Sequence, residues 1–215
     1  MFKKWFGKAE VSAKTQAPEI MGLRLGGAFE LDPLKLRLIE PLLIVNGVSK
    51  TQLIQAVGVV NLDESSTVLR YYTDDEAFMQ VLLTGGMTEN HIADVKLWYF
   101  YETKSINTDA EWEHELATGI SSPVTSLGEY SYTRVWEGTG AGSAPVAMSE
   151  KTFSEGGSVS ETDQFAMLYE REIEGGYFEY LMKVGEEKVI NNHLDRCLVI
   201  STAFDIQPAD IEIMG

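Results

Sequence analysis

The sequence predicts an α+β protein, predominantly antiparallel β-sheet with a few short helices. Three observations predict it. Apolar and aromatic runs of strand length recur along the chain, connections of turn length separate them, and helix-start signals are few. Hydrophobic residues make up 44% of the 215 residues and aromatics 10%, which suits an ordered core.

Taken in order, Asp32-Pro33 has the form of a helix N-cap followed by proline at the first helical position. The next residues, Leu34-Lys35-Leu36-Arg37-Leu38, alternate as a strand would, so both readings stay open there. Thr67 to Tyr72 and Phe78 to Leu83 flank the acidic turn Asp74-Asp75-Glu76 and read as a hairpin. Val95 to Tyr101 is β-branched and aromatic enough for a third strand. Thr108 and Glu111 have capping-box spacing and open a helix to about Ala117. A fourth strand carries Tyr130, Tyr132, Arg134 and Trp136 in alternation.

Phe165 to Glu174 and Tyr177 to Val184 flank Gly175-Gly176, a two-residue connection suited to a primed turn. That turn sets Ile173 opposite Phe178, Arg171 opposite Tyr180 and Tyr169 opposite Met182. The other face then gathers Glu170, Glu172, Glu174 and Glu179, with Glu172 directly against Glu179, a destabilising arrangement. This acidic strip reads as a solvated face, as a docking strip for a basic partner, or as a seat for divalent cations. Cys197 to Ile200 forms a last short apolar strand.

Residues 1–17 form a separate basic-aromatic tail on a single α+β domain, 18–215. Within the domain, 67–101 and 165–203 each offer a hairpin followed by a lone strand. They suggest similar lobes, 18–137 and 163–215, joined by a flexible loop 138–162 rich in glycine and serine. Of 17 basic and 33 acidic residues, Lys3, Lys4, Lys8, Lys14 and Glu10 fall in the first fourteen positions. The remaining body holds 13 basic and 32 acidic residues, a net −19. Such a body argues against nucleic-acid binding, because phosphates need a basic footprint. On a helix, Phe2, Trp5 and Phe6 share one face and Lys3, Lys4 and Lys8 fall elsewhere, as in a helix lying on an anionic membrane surface or in a partner groove. The segment lacks the apolar run of a signal peptide. No run in the body is long enough for a membrane-spanning helix.

No catalytic or metal-binding motif emerges, and no cofactor is implied. The glycines of 138–142 lack the following lysine of a phosphate loop. His91, His114 and His193 stand in dissimilar contexts, without the ligand spacing of a zinc site. Cys197 opens an apolar run, where a buried, inert thiol is the ordinary outcome. As the sole cysteine it can form no internal disulfide, which fits a reducing compartment.

Three blocks, Gly22 to Asp32, Arg70 to Gln80 and Val95 to Phe100, resemble the YjfK-like family of bacterial proteins, over most of the chain from about Met21 onward. The resemblance implies a cytoplasmic bacterial protein whose relatives sit beside PspA-like membrane-stress proteins, and it carries over no catalytic residues. Two function classes follow. One is a non-enzymatic accessory or adaptor protein near the inner membrane, touching a PspA-like partner or an anionic membrane through Phe2, Lys3, Lys4, Trp5, Phe6 and Lys8. The other is a small-molecule or divalent-cation binding module, with scope for enzymatic activity, whose pocket is lined by aromatics such as Trp98, Tyr132 and Trp136.

Overall fold

The computed structural model describes residues 16–136, 142–190 and 193–214. Antiparallel strands dominate, with two short α-helices, so the α+β class fits loosely. The strands are β1 (Ala28–Leu31), β2 (Thr51–Asn61), β3 (Ser66–Thr73), β4 (Ala77–Thr84), β5 (Ile92–Ser105), β6 (Val124–Leu127), β7 (Tyr130–Arg134), β8 (Val146–Ser154), β9 (Val159–Ile173), β10 (Tyr177–Ile190), β11 (His193–Asp205) and β12 (Ile211–Met214). The helices are α1 (Pro33–Ile39) and α2 (Asp109–His114).

Eight strands pair in the order β2-β3-β4-β5-β11-β10-β9-β8, and β8 pairs with β2 to close the ring. The barrel thus consists of two four-stranded meanders, β2 to β5 and β8 to β11, joined edge to edge. Single-residue bulges at Gln55, Ala93 and Tyr101 interrupt the registers of β2 and β5. Bulges bend and twist a strand, as closure requires.

Side chains alternate between the barrel interior and its outside. Two outer flanks are covered. On one, Leu69, Tyr71, Met79, Val81 and Leu97 pack with Ile20, Leu23, Phe29, Leu36 and Ile39 from the leading segment, β1 and α1. On the other, Met167, Tyr169, Leu181 and Leu198 pack under Trp112, Ile120, Leu127 and Tyr132 from α2, its following turn and the β6-β7 hairpin. A third cluster lies inside the barrel and includes Phe78, Trp98, Ala166, Met182 and Val199.

Where strand-like alternation and a cap signal compete at residues 32–39, the cap prevails. Asp32 accepts a hydrogen bond from the Leu34 amide at 2.8 Å, Pro33 begins the helix, and Leu36 and Ile39 are its buried residues. Thr108 caps α2 through the Glu111 amide at 3.2 Å.

The β9-β10 register differs from the sequence expectation by one residue. Glu174–Gly176 forms a three-residue connection with Gly175 and Gly176 at φ 81° and 75°, so Ile173 pairs with Tyr177 and Arg171 with Glu179. A one-residue shift moves each side chain to the opposite face. It places Glu172 against Phe178 instead of Glu179 and turns an expected repulsion into an ion pair. Residues 146–154 also differ from the loop reading, since they form β8.

Candidate functional site: the barrel interior

Charged side chains inside a barrel require partners, because an unpaired buried charge costs several kcal/mol. Arg70, 4% exposed, projects from β3 into such a setting. Its guanidinium donates to Glu150 at 2.7 Å, Gln164 at 2.8 Å and Gln80 at 3.2 Å. Glu150, from β8, also accepts from the Tyr72 hydroxyl at 2.6 Å and from the Gln164 amide at 2.9 Å. The same amide donates to Glu186 at 3.0 Å. The network therefore ties together β3, β4, β8, β9 and β10.

Space for the Glu150 carboxylate comes from Gly58 on β2. A Cβ there would lie 1.7 Å from Glu150 Oε1 and 3.1 Å from the Tyr72 ring. Burial, then the charge of Glu150, raises the Glu186 carboxyl above the usual carboxylate range. Such a group favours folding while protonated in both states, and that contribution falls as pH rises from the unfolded value through the folded one. Glu186→Gln is therefore expected to flatten the decline in stability above about pH 4.5. Urea unfolding across that window measures it, and an unchanged slope would contradict the assignment. Cys197 lies 4.0 Å from Glu186, and its thiol is pushed up to about 11 by burial, with Glu186 and Asp195 adding. A thiol so placed is a poor nucleophile.

Beyond Arg70 the barrel holds a cavity of about 170 Å³, partly open to solvent at the exposed Leu62. Val68, Leu82, Met148, Leu168 and Met182 give it apolar walls; Trp98 and Trp136 contribute rings; Arg70, Gln80, Asp94 and Lys96 supply polar edges. Lys96 Nζ is held by Asp94 and Asp205, each at 2.7 Å, and sits 4.1 Å from the centre of the Tyr180 ring. Tyr72, Phe78 and Trp98 form a cross-strand aromatic row, with Phe78 and Trp98 stacked at 6.0 Å. Trp98 is 1% exposed, yet its indole N–H has no hydrogen-bond acceptor among the described residues. Buried indole N–H groups ordinarily find one.

A larger space, about 780 Å³, lies outside the barrel along Met21, Ile92, Val95, Ile206 and Pro208. It is an open groove. The smaller interior space is the stronger candidate, because it is more enclosed and combines apolar walls with fixed polar groups.

Trp98 and Trp136 line the cavity together, whereas Tyr132 lies on the outer flank. There its hydroxyl donates to Glu179 at 2.6 Å, beside Arg171. Glu179 is fully buried, accepts from the Ile44 amide at 2.7 Å, and shares Arg171 with the Leu42 carbonyl. This cluster fastens the 42–44 segment to the barrel. It also separates Glu179 from the expected acidic strip: Glu170 is half-buried opposite Tyr180, and Glu172 and Glu174 are exposed. The turn acids have structural partners too, with Asp74 accepting from the Leu53 amide and Asp75 from the Ser49 amide.

Among the described residues, no group of three or more His, Cys, Asp or Glu side chains is placed to hold a metal ion. No described helix is long and apolar enough to cross a membrane. The tail contacts expected of Phe2, Lys3, Lys4, Trp5, Phe6 and Lys8 lie outside the described residues. Arg70, Glu150, Gln164 and Glu186 form no motif in the sequence. The available signal was a charge within an apolar run, Arg70 in Val68 to Tyr72 and Lys96 in Val95 to Tyr101. Gln164 and Glu186 carry no such mark.

The family model described as "Protein of unknown function (DUF2491)" matches residues 1–212. The chain belongs to this family. The DUF2491 chain is also similar to "Uncharacterized protein YjfK" of Escherichia coli (strain K12). The two are 30% identical over 188 residues, covering 86% of this chain and 85% of that protein. No solved structure matches it. The family-model match spans the tail as well as the strands that build the barrel.

Proposed function

We propose that this DUF2491 chain is a small-molecule-binding barrel whose ligand sits against Trp98 and Trp136. The observation that carries the reading is the barrel cavity, in which Trp98 and Trp136 stand among apolar walls and fixed polar groups, together with a buried Trp98 indole N–H that has no partner among the described residues. Concave, largely apolar sites with a few fixed polar groups are where small ligands bind. A cavity with these walls can hold one compact molecule, and its Arg70 and Lys96 groups are already fixed by neighbours, so little ordering is needed on binding. The accessory reading, with the tail on an anionic membrane or a PspA-like partner, rests on the tail's sequence pattern.

A thermal-shift screen of compact fragments tests the proposal. A fragment present at 100 times its dissociation constant is expected to add about 2.7 kcal/mol, raising Tm by roughly 5–10 °C in a chain of this size. Leu168→Phe, which puts a ring into the cavity, is expected to remove that shift. A screen in which no fragment stabilises the wild type, or in which Leu168→Phe responds equally, would contradict it.

A further inference from the structure

We propose that the ligand class is a compact, uncharged aromatic or heteroaromatic molecule with one hydrogen-bond acceptor, which the Trp98 indole N–H receives. This rests on the binding reading above and narrows it. Charge is decided by the cavity's own ion pairs. Arg70 is committed to Glu150, and Lys96 to Asp94 and Asp205. An anion would find both cations already paired and would meet the Asp94 carboxylate in the wall. A cation would have to displace Arg70 or Lys96 from their carboxylates. An uncharged ligand disturbs neither pair.

Size and wall chemistry set the rest. An apolar cavity of roughly 150 Å³ accommodates benzene, so about 170 Å³ admits a single ring with a small substituent or ring heteroatom. The thioethers of Met148 and Met182 and the ring of Trp136 suit an aromatic ring edge and face. Trp98 supplies the directional contact. Its N–H is a donor only, so the complementary ligand atom is an acceptor.

The test uses the full chain, ¹⁵N-labelled at tryptophan, with four probes at mildly alkaline pH: pyridine, benzene, benzoate and benzylammonium. Ethylbenzene is the size control for the two charged ones, whose exclusion counts as a charge effect only where ethylbenzene binds. Pyridine is uncharged there and carries one acceptor; benzene carries none. Both uncharged rings are expected to bind and the charged ones not, and pyridine alone is expected to move the Trp98 indole resonance downfield. Trp98→Phe is expected to weaken pyridine about tenfold and to leave benzene within about twofold. Equal effects of Trp98→Phe on the two rings, or preference for a charged probe, would overturn the inference. If Trp98→Phe fails to fold, the wild-type resonance decides: a downfield shift with pyridine supports the inference, and none overturns it. Binding of an aliphatic or charged fragment in the cavity without these rings would refute the class and leave the binding barrel standing. Failure of every fragment would refute the barrel reading itself.

Discussion

Arg70→Met is expected to destabilise the chain by about 3–5 kcal/mol, because it leaves Glu150 buried without its cation. Glu150 is 2% exposed and Arg70 is its ion-pair partner. Tyr72 and Gln164 would still donate to the carboxylate, which places the expected cost toward the lower end of that range. The companion variant Arg70→Met/Glu150→Leu removes both charges. It is expected to recover a substantial part of the loss, since apolar replacement of a buried pair is often neutral or better. Urea unfolding of the wild type and both variants measures this. A loss under about 1 kcal/mol for Arg70→Met would mean that the pair is solvated and the barrel interior open.

Gly58→Ala is the second large effect, at about 3 kcal/mol or more, from overpacking combined with displacement of a buried carboxylate. The methyl group would occupy the position of Glu150 Oε1, 1.7 Å from an ideal Cβ. Glu150 cannot swing aside without releasing Arg70, Tyr72 and Gln164 together. Gly156→Ala provides the control. It meets no atom within 4 Å and is expected to change stability by no more than about 0.5 kcal/mol. Similar unfolding midpoints for the two alanine variants would contradict the packing of β8 against β2.

These two residues also mark where the sequence became hard to read. The hairpin β3-β4 and strands β5, β7, β9, β10 and β11 were legible because apolar or aromatic residues occupy positions that are buried on a barrel flank or inside. β2 and β8, which close the ring, were not. In β8, Val146 to Ser154, the inward Glu150 takes a position where a core strand ordinarily shows an apolar residue. Its partner Arg70 lies 80 residues earlier, so no local pattern reports the pairing. The Gly175-Gly176 turn is legible in the sequence, but its length is not. Both two- and three-residue connections accept glycine at positive φ, and only the Arg171–Glu179 pair distinguishes their registers. Of the candidate site, Trp98 and Trp136 were legible as aromatics. That they line one cavity depends on closure by β8, whose Met148 shares the lining, whereas Tyr132 reaches the outer flank through the pairing of β7 with β9.

The most direct test of the binding barrel is a methionine-methyl NMR titration of the full chain with the most stabilising uncharged fragment. Met148 and Met182 line the interior cavity, Met21 lines the outer groove, and Met79 packs on the outer flank. Binding inside the barrel predicts shifts at Met148 and Met182 that saturate together, with Met21 and Met79 unmoved. Shifts at Met21 without Met148 and Met182 would place the ligand in the outer groove and contradict the account.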